Sequence, residues 1–106
     1  MSLQHTVVFR LVHPAGSTQE QEFLETAHRL LTGIPGVTEF AVNRQVSSKS
    51  DLEWQFSMVF VDQAAYEAYN DHAVHQEFVA TRWVTEVESH QEYDFESHPL
   101  AGDSES

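Results

Sequence analysis

The sequence predicts an α+β fold in which four strands and two helical regions follow the order β-α-β-β-α-β, one antiparallel sheet lying under one layer of helices. Three observations lead there. Leu3–Val12 and Leu52–Val61 alternate residue character with the period of two that belongs to strands. Between Ser17 and Gly33, and again after Asp62, apolar residues recur at helical spacing. The connections are short and polar, and 106 residues suffice for one core but not for two.

In the first strand, His5, Val7, Phe9 and Leu11 share one face, and Thr6, Val8, Arg10 and Val12 the other. The HPAG of His13–Gly16 turns the chain, and Ser17 with Glu20 forms a capping box. The helix that follows carries Phe23, Leu24, Ala27, Leu30 and Leu31 on one stripe and is expected to end at Gly33 in a left-handed cap. Pro35 and Gly36 turn into a second strand over Val37–Val46, and the polar SSKSD of Ser47–Asp51 is a loop. The third strand, Leu52–Val61, places Trp54, Phe56, Met58 and Phe60 together, a row of large apolar side chains that marks a core face. Asp62 caps a helix over Gln63 to about Asn70. That helix breaks near Asp71 and His72 and resumes from about Val74 to Val84, with Phe78 and Trp83 turned inward. A last strand over about Val87–Phe95 completes a domain spanning residues 1–97, and the small, polar and acidic residues 98–106 are expected to form a disordered tail.

This order folds most economically as the ferredoxin-like plait, a four-stranded antiparallel sheet with both helical regions on one side. The opposite sheet face carries Val8, Val12, Val59 and Val61 among Thr6, Arg10, Gln55 and Ser57, which is more aliphatic than a solvated face requires. A second copy of the same face would cover it, pairing two sheets into a dimeric α+β barrel. Scattered surface valines on a monomer are the plainer alternative.

Charge and composition narrow the partners. Five Lys and Arg stand against seventeen Asp and Glu, a formal net charge of −12, so phosphate backbones and anionic membrane surfaces are repelled. No cysteine is present, which excludes a disulfide framework, a thiolate nucleophile and Cys-based metal sites. No apolar run approaches membrane-spanning length and the N-terminus lacks a signal-peptide pattern, so a cytoplasmic protein without nucleic-acid or membrane partners is expected.

The stretch YEAYNDHAVHQEF, Tyr66–Phe78, sets a phenol, Tyr69, and an imidazole, His75, around the helix break. Together with His5 on the apolar face of the first strand, they are proton-handling groups that one dry pocket would gather. The apolar lining expected for such a pocket is Val7, Phe9, Phe23, Trp54, Phe56, Met58 and Phe78, suited to a flat, partly aromatic molecule. Each also has a structural explanation: His75 as a satisfier of backbone groups at a helix start, Tyr69 as a core aromatic, His5 as a hydrogen-bonded core histidine. His72 and His75 have i, i+3 spacing, but the helix break separates them and no HExxH pattern occurs, so neither a metal nor another cofactor is expected.

The chain resembles the stress-responsive α/β-barrel domain (Dabb) family over Leu3–Phe95. The likeness rests on HTVVFRL at His5–Leu11, IPGV at Ile34–Val37, SMVFVDQAAYEAY at Ser57–Tyr69, HAVHQEF at His72–Phe78 and EYDF at Glu92–Phe95, in order and spacing. The resemblance implies a dimeric α+β barrel. Many members are known only as stress-associated proteins, while a plant branch includes a polyketide cyclase that uses a tyrosine and a histidine as acid and base. Tyr69 and His75 match that pair by position, and His5 matches the pocket histidine of the first strand. Where the cyclising branch carries a further pocket histidine on the third strand, this chain has Trp54, which implies a bulkier and less polar pocket. The residues and the resemblance together lead to the expectation of a homodimer that binds a small hydrophobic or aromatic metabolite and, if an enzyme, performs cofactor-independent acid–base chemistry of cyclase or lyase type. A non-enzymatic stress-response dimer with structural histidines, and a haem-binding or cofactor-free monooxygenase of the same fold, are the alternatives.

Overall fold

The computed structural model describes residues 2–101. Strand β1 (Leu3–Leu11) runs antiparallel to both β3 (Trp54–Phe60) and β4 (Val87–Glu96), and β2 (Thr38–Arg44) joins the far side of β3, giving the sheet order β2-β3-β1-β4. Three helices, α1 (Thr18–Thr32), α2 (Gln63–Asp71) and α3 (Ala73–Phe78), a π turn at Val79–Trp83 and a last short turn, α4 (Val84–Glu86), complete the chain. This is the ferredoxin-like α+β fold that the residue pattern predicts. Of the acidic tail expected over 98–106, positions 102–106 lie outside the described residues. Among the described residues no helix is long and apolar enough to cross a membrane.

The core forms where the alternate residues of β1 and β3 meet the helical stripe. Val7, Phe9 and Leu11 face the helices beside Phe56, Met58 and Phe60, and Phe23, Leu24, Ala27 and Leu31 of α1 close over them. Phe9 is the centre of an aromatic cluster, its ring centroid 4.7 Å from that of Phe56, 5.0 Å from Trp83 and 6.1 Å from Phe23. Removing each such ring from water stabilises the fold by about 2–3 kcal/mol.

The helix ends refine the sequence expectations. Ser17 Oγ caps α1 by accepting from the Glu20 N–H at 3.1 Å, as the capping box requires. The Glu20 carboxylate, however, reaches past the cap residue and accepts from the Gly16 N–H at 2.9 Å and the Trp54 indole N–H at 3.0 Å. Gly33 does not supply a left-handed cap: its φ is −80°, and a helical turn through Leu30 and Leu31 carbonyls continues to it. The positive φ falls instead at Gly36, at +93°, where a Cβ would come 3.7 Å from the Ala65 Cβ. The second strand, Thr38–Arg44, is shorter than the span 37–46, and inside it a bulge between Thr38 and Ala41, with Glu39 at φ +52°, interrupts the pairing with β3.

The helical layer is broken twice, and both breaks have local causes. At His72 the backbone becomes extended, and its Nδ1 accepts from the Val74 N–H at 3.1 Å, so this histidine is the N-cap of α3. Farther on, Phe78 and Trp83 are five residues apart, which on an α-helix would set them about 140° apart. The wider π turn rotates both toward the sheet. Arg82 fixes this turn from outside: its guanidinium binds Glu22 of α1 at 2.6 Å and the Glu86 carboxylate, which His13 Nε2 also meets at 2.7 Å. Arg82 in turn holds the carboxyls of Glu22 and Glu86 below their ordinary range.

The sheet face away from the helices is partly sealed by long polar side chains. Gln55 Nε2 donates to Thr6 Oγ1 at 2.7 Å and Gln4 Nε2 to Ser57 Oγ at 3.0 Å, which leaves Thr6 and Ser57 buried without a helix over them. Toward its ends the same face stays open: Val12, Val61, Tyr93 and Phe95 are about half or more exposed, and the Tyr93 and Phe95 rings stack 5.9 Å apart.

Candidate active site

Between the start of β1, the inward row of β4 and the break after α2 lies a partly open cavity of about 370 Å³, within the range of small-molecule sites. Its polar lining is His5, Tyr69, Asn70, His75, His90 and Glu92; its apolar lining is Val7, Phe56, Met58, Phe78, Val79 and Trp83. The three proton-handling residues singled out in the sequence therefore border one space.

Tyr69 and His75 come together because α2 ends and α3 begins between them. Their ring centroids are 4.4 Å apart, and Tyr69 is 6.4 Å from the His5 ring. His75 Nδ1 lies 3.2 Å from the Asn70 carbonyl oxygen, which the helix break leaves available. Only a protonated nitrogen can donate there, so the neutral ring carries its free lone pair on Nε2. Burial lowers the His75 pKa against the opposing pull of that carbonyl, and the nearby His5 lowers it further. At neutral pH the ring is a base. Tyr69 is buried, and burial pushes its phenol well above the ordinary value; its hydroxyl makes no hydrogen bond to another described residue. It is a proton-bearing donor.

His5 is organised differently. Its Nδ1 is 2.6 Å from Asp94 Oδ1 and 3.2 Å from the Tyr66 hydroxyl, and its Nε2 is 3.8 Å from Glu92 Oε1. Asp94 stands directly opposite His5 in the β1–β4 register. The short contact is that of an imidazole N–H donating to a carboxylate, which orients the ring and leaves Nε2 as the free atom. Burial, aided by the charges of Asp94 and Glu92, raises the Tyr66 phenol to about 12.

Of the expected apolar lining, Val7, Phe56, Met58 and Phe78 border the cavity. Phe9 and Phe23 do not, because they are fully enclosed by the aromatic cluster behind it. Trp54 does not either. It pairs opposite Phe9, beyond the cavity, where Glu20 holds its indole and the Arg44 guanidinium lies 4.4 Å over the ring. It lines a separate surface groove with Leu24, His28 and Val42 instead. The sequence reading missed Tyr66 and Asp94 as partners of His5, and missed Asn70, Val79, Trp83, His90 and Glu92 as lining. One signal for the last group was present: His90, Glu92 and Asp94 make the inward row of β4 polar where the rows of β1 and β3 are apolar. No set of three or more metal-binding side chains gathers among the described residues.

The fold has counterparts of known structure. A Dabb family protein with a ferredoxin-like fold from Mesorhizobium loti is 48% identical, with a TM-score of 0.91 over 92% of this chain and 98% of that one. A hydroxynitrile lyase from Passiflora edulis shares 14% identity with a TM-score of 0.77, over 92% and 97% of the two chains. A dimeric ferredoxin-like protein of unknown function from Thermobifida fusca shares 16% with a TM-score of 0.74, over 92% of each chain. At such identities these last two attest the fold alone. No curated protein sequence matches the chain. The family model for the stress responsive A/B barrel domain matches residues 3–97, and this chain belongs to that Dabb family.

Proposed function

We propose that the protein is a homodimer whose protomers each bind a small hydrophobic or aromatic carbonyl compound in the cavity and act on it by cofactor-independent acid–base chemistry. The observation that carries this reading is the convergence of Tyr69, His75 and His5 on a single apolar-walled space. In it, His75 Nε2 removes a proton from carbon next to the carbonyl, and the Tyr69 hydroxyl donates to the oxygen on which charge develops. The resulting carbon nucleophile closes a ring onto a second carbonyl, or in the reverse sense the same pair assists carbon–carbon cleavage. Proton return from His75 to the product oxygen restores the starting state. Trp83, Phe56 and Phe78 offer ring faces and edges to a planar substrate.

The open sheet face supports the dimer. Its exposed Val12, Val61, Tyr93 and Phe95 form the apolar surface that a two-fold copy would cover, and several proteins of the same fold are described as dimeric. Residues 1–97 act as the domain, with the remainder as its tail. One observation favours a second reading for His5: Asp94 and Tyr66 satisfy its Nδ1 completely, as a purely structural histidine needs.

Calorimetric titration with flat aromatic ketones tests the reading. Saturable binding is expected, weakened at least about tenfold in His75→Ala and in Tyr69→Phe, with thermal unfolding showing both variants folded. Binding that survives both substitutions unchanged would remove the proposed chemistry and leave a structural dimer.

A further inference from the structure

The positive charges of this chain are few enough to be followed one by one. All five Lys and Arg are accounted for, and none borders the cavity. Arg10 donates to the Asp51 carbonyl and faces Glu53 and Glu88. Arg29 is in the last turn of α1, Arg44 lies over Trp54, Lys49 is in the exposed loop after β2, and Arg82 is spent on Glu22 and Glu86.

Negative charge, by contrast, is built into the cavity wall. Glu92 lines it from the inward row of β4, with Asp94 two residues on and already committed to His5. His75, half-buried in α3, has its pKa lowered by burial. An anion entering this space meets the partly exposed Glu92 carboxylate, 3.8 Å from His5 Nε2, and finds no ammonium or guanidinium to offset it. A neutral carbonyl meets a hydroxyl donor, Tyr69, an amide, Asn70, and ring faces.

We infer that the cavity selects an uncharged aromatic carbonyl compound over the corresponding carboxylate or phosphate, with Glu92 as the residue that enforces the choice. The inference rests on the binding function proposed above and adds the ligand's charge class to it.

Two nearly isosteric probes test it, 4-acetylbenzamide and 4-acetylbenzoate, titrated calorimetrically against the full chain. At low salt the amide is expected to bind at least about tenfold more tightly than the benzoate. The ratio should fall toward unity in Glu92→Gln, and also for the unaltered protein as salt is raised to about 0.5 M. Because the salt series needs no substitution, the outcome does not depend on the variant folding. A benzoate that binds as tightly as the amide overturns the charge selection alone. A preference unchanged both by Glu92→Gln and by salt overturns it too, since shape would then discriminate. Failure of both probes to bind saturably overturns the inference together with the binding function beneath it.

Discussion

Phe9 and His5 occupy the same face of the same strand, four residues apart, and yet one is the centre of a solid core and the other the wall of a cavity. Around Phe9 three aromatic rings close in, and no surface is left. Around His5 stand two phenols, a carboxylate and open space. The strand does not make this difference. Above Phe9 passes α1, fifteen residues without interruption, whereas above His5 the helical layer stops at Asp71 and restarts at Ala73. The interruption supplies both the volume and an unpaired carbonyl, that of Asn70, which fixes the tautomer of His75. Potential reactivity here is a property of the roof, and rigidity a property of the same floor under a better roof.

The largest expected effect sets the two ends against each other in stability. Phe23→Ala should cost about 3–5 kcal/mol in denaturant unfolding, because it opens a cavity among rings with no means of collapse. Tyr69→Phe should cost under about 1 kcal/mol, since its hydroxyl holds no other described residue. Equal losses would erase the distinction. Next in size, Asp94→Ala leaves the buried Nδ1 of His5 without its acceptor and should cost about 1 kcal/mol, at the low end for a lost charged hydrogen bond because Asp94 is itself partly exposed. Asp94→Asn should recover most of it.

Smaller effects follow from titration. Burial lowers the His75 pKa in the folded protein, so the unfolded imidazole, near about 6.5, binds its proton first. The stability this contributes is complete above the unfolded value and is lost as pH falls through the lower folded value. The difference in melting temperature between the protein and His75→Gln should therefore be constant above about pH 6.5 and shrink only on the acid side. Tyr66, raised to about 12, and Tyr69, raised further, act in the opposite direction. Their contribution is complete below about pH 10 and is lost as pH rises beyond it. Phenolate absorbance from these two should appear only with alkaline unfolding, and its appearance in a folded protein at pH 10 would mean that the roof over His5 is looser than described.

The order of elements was legible because period-two and helical repeats are carried by single residues such as Phe56, Met58, Phe23 and Ala27. The helix break was legible as well, since Asp71 and His72 interrupt the apolar spacing. Pairing across the chain was not. That Asp94 meets His5, 89 residues away in the chain, depends on the register of β1 and β4, and no local pattern encodes it. Trp54 was misplaced for a related reason: facing the core side is a matter of alternation, but being beside the cavity or beyond it depends on which partner on β1 it opposes, and that partner is Phe9. The π turn that swings Trp83 into the wall requires a hydrogen-bond pattern that the residue spacing argues against on an ordinary helix.

Strand β4 lies at the rim of the sheet, ten residues long, with one side of its backbone unmatched by any described strand. A bare strand of that length is a template on which identical chains stack into fibrils. Glu88, Glu92, Asp94 and Glu96 take four of the five alternate positions of this one, His90 the fifth, so two copies brought rim to rim would set like charges close together. The acidity that turns anions away from the cavity thus also serves colloidal stability, and a chain with those four carboxylates replaced by amides should form fibrils at concentrations where the natural chain stays dispersed.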